Sequence, residues 1–233
     1  MKRRTLHYVS AFIILGVYGG QVCPFLDSLT VLQLVIPIFV TMGLLYLVQV
    51  TFLNGIAERT SLKHQSRRVF QLELGSFITA GTIVMIFNTV YYHFPLSSGL
   101  KVVLGLCLMG FFAAIDLSLE KEWLLNKKFE ATGERIEPDL IFFSHPKKLV
   151  FFSSMSMFLT AGVIFLVINK DLDWMATVGR DIPVKTAQRY ILTEIAFVVG
   201  VILLYMFNVI YSYSRNFRNF LSHETVVLQK ATT

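Results

Sequence analysis

Charged side chains are scarce in this chain. Asp, Glu, Lys and Arg make up 15% of its 233 residues, while hydrophobic residues make up 55% and the mean hydropathy is +0.62. Ordinary soluble domains carry about 25% charged residues, so a water-soluble fold is excluded for most of the length. Cysteine is nearly absent: Cys23 and Cys107 fall in or beside different apolar segments without metal-ligand spacing, which leaves both to packing. The five histidines (His7, His64, His93, His145 and His223) belong to separate loops or helix ends. No two share a helix at haem or metal spacing, which argues against a membrane cytochrome, and no metal or other cofactor is expected. A Gly-rich phosphate loop, a Gly-x-Ser-x-Gly elbow, a His-Glu-x-x-His helix and a carboxylate pair in a soluble setting are all missing. Catalysis within this chain has no motif to rest on, and nucleic-acid binding has no support beyond a net charge of +6.

What is present is a series of apolar runs at about 6–22, 29–53, 69–92, 100–117, 149–168 and 187–213. Each has about the length that an α-helix needs to cross a hydrocarbon core of roughly 30 Å. The fold class is therefore all-α: a polytopic membrane protein with six transmembrane helices. Residues 1–213 form the membrane domain and 214–233 a cytoplasmic, coiled-coil-like continuation of the last span. The connectors leave no space for a further globular domain, and the largest, 119–148, starts as a helix that continues out of the fourth span toward Gly133. Sixteen of the 21 Lys and Arg residues lie at the N-terminus, in the second and fourth connectors and in the tail, against Lys101, Lys170, Arg180, Lys185 and Arg189 on the other side. The positive-inside rule then puts both termini in the cytoplasm of a cell whose inner membrane holds the protein, and requires an even number of spans. Met1 to Arg4 followed by an apolar run is read as the start of an uncleaved first helix.

Polar residues inside apolar runs are the candidate site. Glu194 lies beyond the first turn of span six, where a carboxylate costs several kcal/mol unless protonated, paired or facing a wet cavity. It either binds or senses something, or donates a hydrogen bond between helices. His93 in an outer turn has Asp173 or Asp181 as partners for a small ligand or metal site, or is a solvated turn residue, the preferred reading. Glu73 and Asp116 sit near inner span ends, where Arg67, Arg68 or Lys121 are the expected partners. Gly16-x-x-x-Gly20 in span one has the small-residue spacing for close helix packing.

Span six meets no Gly or Pro before the tail turns polar. A heptad passes through it, with Phe207, Ser214, Leu221 and Leu228 in one seam position and Ile210, Phe217, Glu224 and Ala231 in the other. The stretch from Phe217 to Ala231, directly after a final span, resembles the first helix of a HAMP linker. Together with six spans and Glu194 it looks like the membrane module of bacterial class III adenylyl cyclases. That resemblance implies a homodimeric sensory and anchoring domain that relays a signal through span six, by way of Phe217, Leu221, Glu224, Leu228 and Ala231, to a cytoplasmic output domain. It also implies a nucleotide cyclase as that output, with the ending at Thr233 a truncation just before the linker's junction. A small transporter or channel with Glu194 in the pathway is the competing class, and a passive anchor the third. The orientation is open to direct test: reporters fused after Lys63 and Gly133 are expected in the cytoplasm, and those after Ser28 and Ser97 outside. An external reporter at Gly133 would overturn the six-span reading.

Overall fold

The computed structural model describes residues 2–18, 31–93, 96–132, 145–177, 180 and 182–232, with the side chains of the last helix described as far as Arg218. All regular structure among these residues is helical. Helix α1 is Lys2–Val17. Helix α2, Val31–Val48, passes through a π-helical turn at Gln49–Leu53 into the short α3, Asn54–Arg59. Then come α4 (Leu62–Tyr92), α5 (Leu96–Thr132), α6 (His145–Ala176) and α7 (Val184–Thr232). The helices α2, α4, α5, α6 and α7 are each long and apolar enough to cross a membrane, over Val35–Phe52, His64–Tyr92, Gly99–Lys128, Lys147–Ala176 and Val184–Arg218. The predicted first span, 6–22, is described only as far as Tyr18.

Helices that pack as pairs α1–α2, α4–α5 and α1–α7 run antiparallel, whereas α5 and α7 run parallel, with Phe112 against Tyr205 and Asp116 against Ser212. Thr5 and Tyr8 of α1 meet Tyr46 of α2, and Phe12 meets Phe39. Between α4 and α5, Met85 lies against Gly99, Val103 against Gly81 and Phe77 against Gly110. Helix α1 also lies along α7, from Arg3 beside Ser212 to Tyr18 beside Glu194. The start of α1 and the exit of α7 therefore share one end of the bundle.

Helix α5 is the axis of the molecule and packs on α4, α7, α6 and α1. Its central residues are almost all buried, with Leu106, Ala113, Ala114 and Ile115 fully so. Phe77 and Tyr8 lean together at 4.9 Å on one side of it, and Phe112 stacks on Tyr205 at 5.8 Å on the other. Without a hydrophobic driving force between helices in lipid, close steric fit carries much of the packing. Small residues on α5 provide it.

Two predicted boundaries move. Helix α6 does not stop near Ile168: residues read as outer loop, Asp171 to Ala176, continue it. No breaker stands there, and Val167, Asp171 and Trp174 prolong its buried stripe at helical spacing. Helix α4 starts at Leu62 rather than near Val69, because its first two turns are held by polar contacts, with Gln65 and Ser66 buried. By contrast, α5 runs on to Thr132, as the lack of a stop before Gly133 predicts.

The α4–α5 contact makes a prediction. A methyl group at Gly110 would overlap the Phe77 side chain, whereas one at Gly105 meets nothing within 4 Å. Gly110→Ala is expected to destabilise the bundle by about 1–3 kcal/mol. Gly105→Ala should be neutral or stabilising by up to about 1 kcal/mol. Reversible unfolding in mixed detergent micelles measures both, and equal effects would contradict the close α4–α5 approach.

Candidate functional site

Two polar clusters sit at opposite ends of the bundle, and α7 takes part in both. At the end that carries the N-terminus, Asp116 projects from α5 and is buried. The Ser212 hydroxyl of α7 donates to its Oδ1, Arg3 Nη1 of α1 lies 3.2 Å from the same oxygen, and His7 Nε2 lies 2.9 Å from Oδ2. Arg3 also bonds Ser212 at 3.2 Å and reaches Glu120 at 3.5 Å. The spacing explains the set. Arg3, His7 and Ser10 stand at i, i+4 and i+7 on one face of α1, and Ser10 meets Tyr205 of α7 at 2.9 Å. A turn further on, Asn216 Nδ2 donates to the Leu119 carbonyl at 2.8 Å, and the Arg215 guanidinium lies 4.8 Å from the Trp123 ring.

Around this core the other helices are tied in. Arg4 pairs with the fully buried Glu73 of α4. Ser66 of α4 donates to the Ser118 carbonyl at 3.1 Å and to Glu122 at 3.0 Å, and Lys148 of α6 reaches Glu122 at 2.5 Å. Next to the π-helical turn, Ser76 donates to Gln49 at 3.3 Å. Glu73 and Asp116 thus pair with Arg4, and with Arg3 and His7, rather than with Arg67, Arg68 or Lys121. The cause is depth: α1 turns the face with Arg3, His7 and Ser10 onto α5 and α7 and delivers its basic residues where the carboxylates are buried.

At the opposite end Glu194 of α7 is fully buried, and the Tyr18 hydroxyl of α1 donates to its Oε1. Asp171 of α6, 2% exposed, lies within hydrogen-bond reach of it, and Lys101 of α5 is close enough to act on both carboxyls. Three oxygens here, Glu194 Oε2 and both of Asp171, have no hydrogen-bond partner. One turn from Asp171, the buried Trp174 stands edge-on to Tyr190 at 6.3 Å. Glu194 was singled out from sequence alone. Asp171, Tyr18 and Lys101 were missed as its neighbours, and the signal for Asp171 was the helical stripe that it continues.

The remaining predicted residues lie elsewhere. His93 is exposed and closes α4 in a left-handed conformation (φ 54°), its backbone N–H bonding the Asn88 carbonyl. Asp173 is exposed on α6, with its main-chain carbonyl taken by Thr177 at 3.2 Å, and Asp181 lies outside the described residues. A Cβ on Gly16 would lie 3.8 Å from Val35, so the glycine marks ordinary contact between α1 and α2, while Gly20 lies outside the described residues. Phe217 is exposed and stacks on Tyr213 at 6.3 Å. The side chains of Leu221, Glu224, Leu228 and Ala231 lie outside the described ones, although the α7 backbone passes through all four positions. Among the described residues no group of three or more His, Cys, Asp or Glu is arranged to hold a metal.

A family model of membrane-associated sensory domains, MASE10, matches residues 7–197. The chain belongs to the MASE10 family. The matched segment of this MASE10 domain takes in Asp116, Asp171 and Glu194 and ends before Ser212 and the tail. A cyclic di-GMP phosphodiesterase of Vibrio cholerae serotype O1 is 22% identical over 225 residues, 97% of this chain and 45% of the relative. The chain thus spans less than half the length of the relative it matches. No solved structure matches significantly. Neither match brings a HAMP linker or a cyclase. The resemblance rested on a heptad, and apolar heptad spacing is common to helices that self-associate after leaving a membrane.

The network around Asp116 supports a stability prediction. Asp116→Ala strands a buried His7 and Arg3 and is expected to cost about 3–5 kcal/mol. Ser212→Ala removes one hydrogen bond to a charged group and is expected to cost about 1.5–3 kcal/mol. In the double variant the losses should fall short of additive. Full additivity in micelle unfolding would mean that Asp116 does not hold α7.

Proposed function

We propose that this chain is the sensory membrane part of a signalling protein, in which α7 carries a change at the Glu194 end of the bundle to a cytoplasmic domain joined to its tail. The observation that supports this reading is the double grip on one unbroken helix. From Glu194 to Asn216 the helix spans roughly 33 Å, with a buried polar contact at each end. A rigid rod held at two depths converts a shift at one into a shift at the other. By the charge asymmetry of the sequence, the end with Arg3, Arg4 and Asp116 faces the cytoplasm of the inner membrane, α1 makes the sixth crossing, and Glu194 lies toward the outside.

The output domain proposed here turns over cyclic di-GMP, because the Vibrio relative is named for that activity and is more than twice as long as the chain. The active form is a dimer. The Tyr205, Ser212 and Asn216 face of α7 is buried within the bundle, while Phe207, Ile210, Ser214 and Phe217 are exposed on another face and lead into Leu221 and Leu228. That exposed seam is the surface for a second copy, and Phe217, Leu221, Glu224, Leu228 and Ala231 form the relay.

Cysteine crosslinking in membranes tests the relay. Single cysteines at positions 221 and 228 are expected to link two subunits readily, and one at 219 only weakly. In the full-length protein, Glu194→Gln should change cyclic di-GMP hydrolysis several-fold without lowering the amount in the membrane. Uniform crosslinking at the three positions together with unchanged hydrolysis would overturn the reading.

A further inference from the structure

We infer that Asp171 and Glu194 form a binding site for one small cation, a proton or a bare alkali-metal ion, held between their carboxyl groups where α6 meets α7. The inference rests on the sensory reading and names what the sensor takes. It begins from an imbalance. Two acidic side chains, 2% and 0% exposed, lie within hydrogen-bond reach of each other, yet three of their four oxygens have no partner. Two bare carboxylate oxygens repel at such a distance, so the contact is favourable only with a positive centre between them.

Among the described residues, the groups seen to act on the two carboxyls do not fully supply that centre. Tyr18 of α1 donates one hydrogen bond to Glu194 Oε1 and leaves the facing oxygens as they are. Lys101 of α5 acts on both carboxyls and balances one of the two negative charges. Among the described residues, α6 brings the buried Asp171 and Trp174 to this end, with the half-buried Lys170 and the exposed Asp173 beside them in sequence, and α7 brings Tyr190 and Glu194. Among the described residues, α2 and α4 bring no buried charge here. One further positive charge closes the balance. The burial of both carboxyls leaves no place between them for a hydrated ion or an organic cation, which selects a proton or a dehydrated monatomic ion. Without the cation, the two carboxylates push α6 and α7 apart. With it they draw together, and Glu194 rides on the helix that leaves the membrane.

The site carries its own reporter. Only two tryptophans occur in the chain, and Trp174 lies one turn from Asp171. The full chain with Trp123→Phe, placed in lipid nanodiscs, is titrated in two arms: pH with choline as the sole added cation, and sodium or lithium at fixed alkaline pH. Trp174 fluorescence is expected to follow a single-site transition in at least one arm. Glu194→Gln and Asp171→Asn should each abolish it, and Asp173→Asn should leave it intact. Infrared difference spectra of the unmutated chain separate the sources, because a proton adds the carbonyl stretch of a protonated carboxyl, whereas an alkali ion adds none and shifts only the carboxylate stretches. A flat response in both arms with no carboxyl band, or variants that titrate like the unmutated chain, would overturn the inference. Its failure is distinguishable from that of the sensory reading. A clear transition with unaltered output in Glu194→Gln leaves the site standing and sinks the sensor, and a flat response with altered output does the reverse.

Discussion

A carboxylate buried in the central helix of a membrane bundle must be neutralised, and in this protein that requirement decides what touches what. Asp116 sits on α5, which packs on four other helices, and its neutralisation draws Arg3 and His7 from α1 and Ser212 from α7 to a single point. Apolar helices alone have little to fix their register in lipid, since one hydrocarbon surface is as good as another. Buried charge removes that freedom. The pairs Arg4–Glu73 and Lys148–Glu122 fix α4 against α1 and α6 against α5 in the same way, so the Asp116 end of the bundle is specified by electrostatics and the middle by the fit of small residues on α5.

The Glu194 end is built differently. There the carboxyls of Asp171 and Glu194 lie together with three oxygens lacking a hydrogen-bond partner, and among the described residues Lys101 is the cation seen to act on both. A molecule whose Asp116 end is ion-paired and whose Glu194 end is short of positive charge has a direction for a signal. The ion-paired end holds α7 in place, and the Glu194 end is where a change in occupancy alters the balance of forces on it. Membership of a family of membrane-associated sensory domains fits this division. The match ends at residue 197, between the two grips on α7, so the polar contacts of Ser212 and Asn216 lie beyond the family segment.

Much of the architecture was legible in the sequence, because length and hydropathy are what a bilayer selects on. The runs that became α2, α4, α5, α6 and α7 could be read from apolar content, and Glu194 stood out because ionised groups are rare at that depth. Partners could not be read. The residues that meet Asp116 come from positions 3, 7 and 212, and nothing in a linear pattern says that α1 lies against both α5 and α7. Asp171 was read as loop because three polar residues follow Ile168, although a membrane helix runs past its apolar stretch until a breaker stops it. The tail misled in another way: a heptad specifies a helix that pairs, and it does not specify the family of linker or enzyme to which the helix belongs.

The central claim is that α7 moves as one body relative to α5 when the Asp171–Glu194 site changes. Spin labels at positions 124 on α5 and 222 on α7, in the full chain with Cys23 and Cys107 replaced, measure that displacement by pulsed electron resonance in lipid nanodiscs. The account predicts that the distance distribution shifts when Glu194 is replaced by Gln, although that substitution lies roughly 40 Å along the helix from the label. An unchanged distribution, with the variant folded and in the membrane, would contradict it.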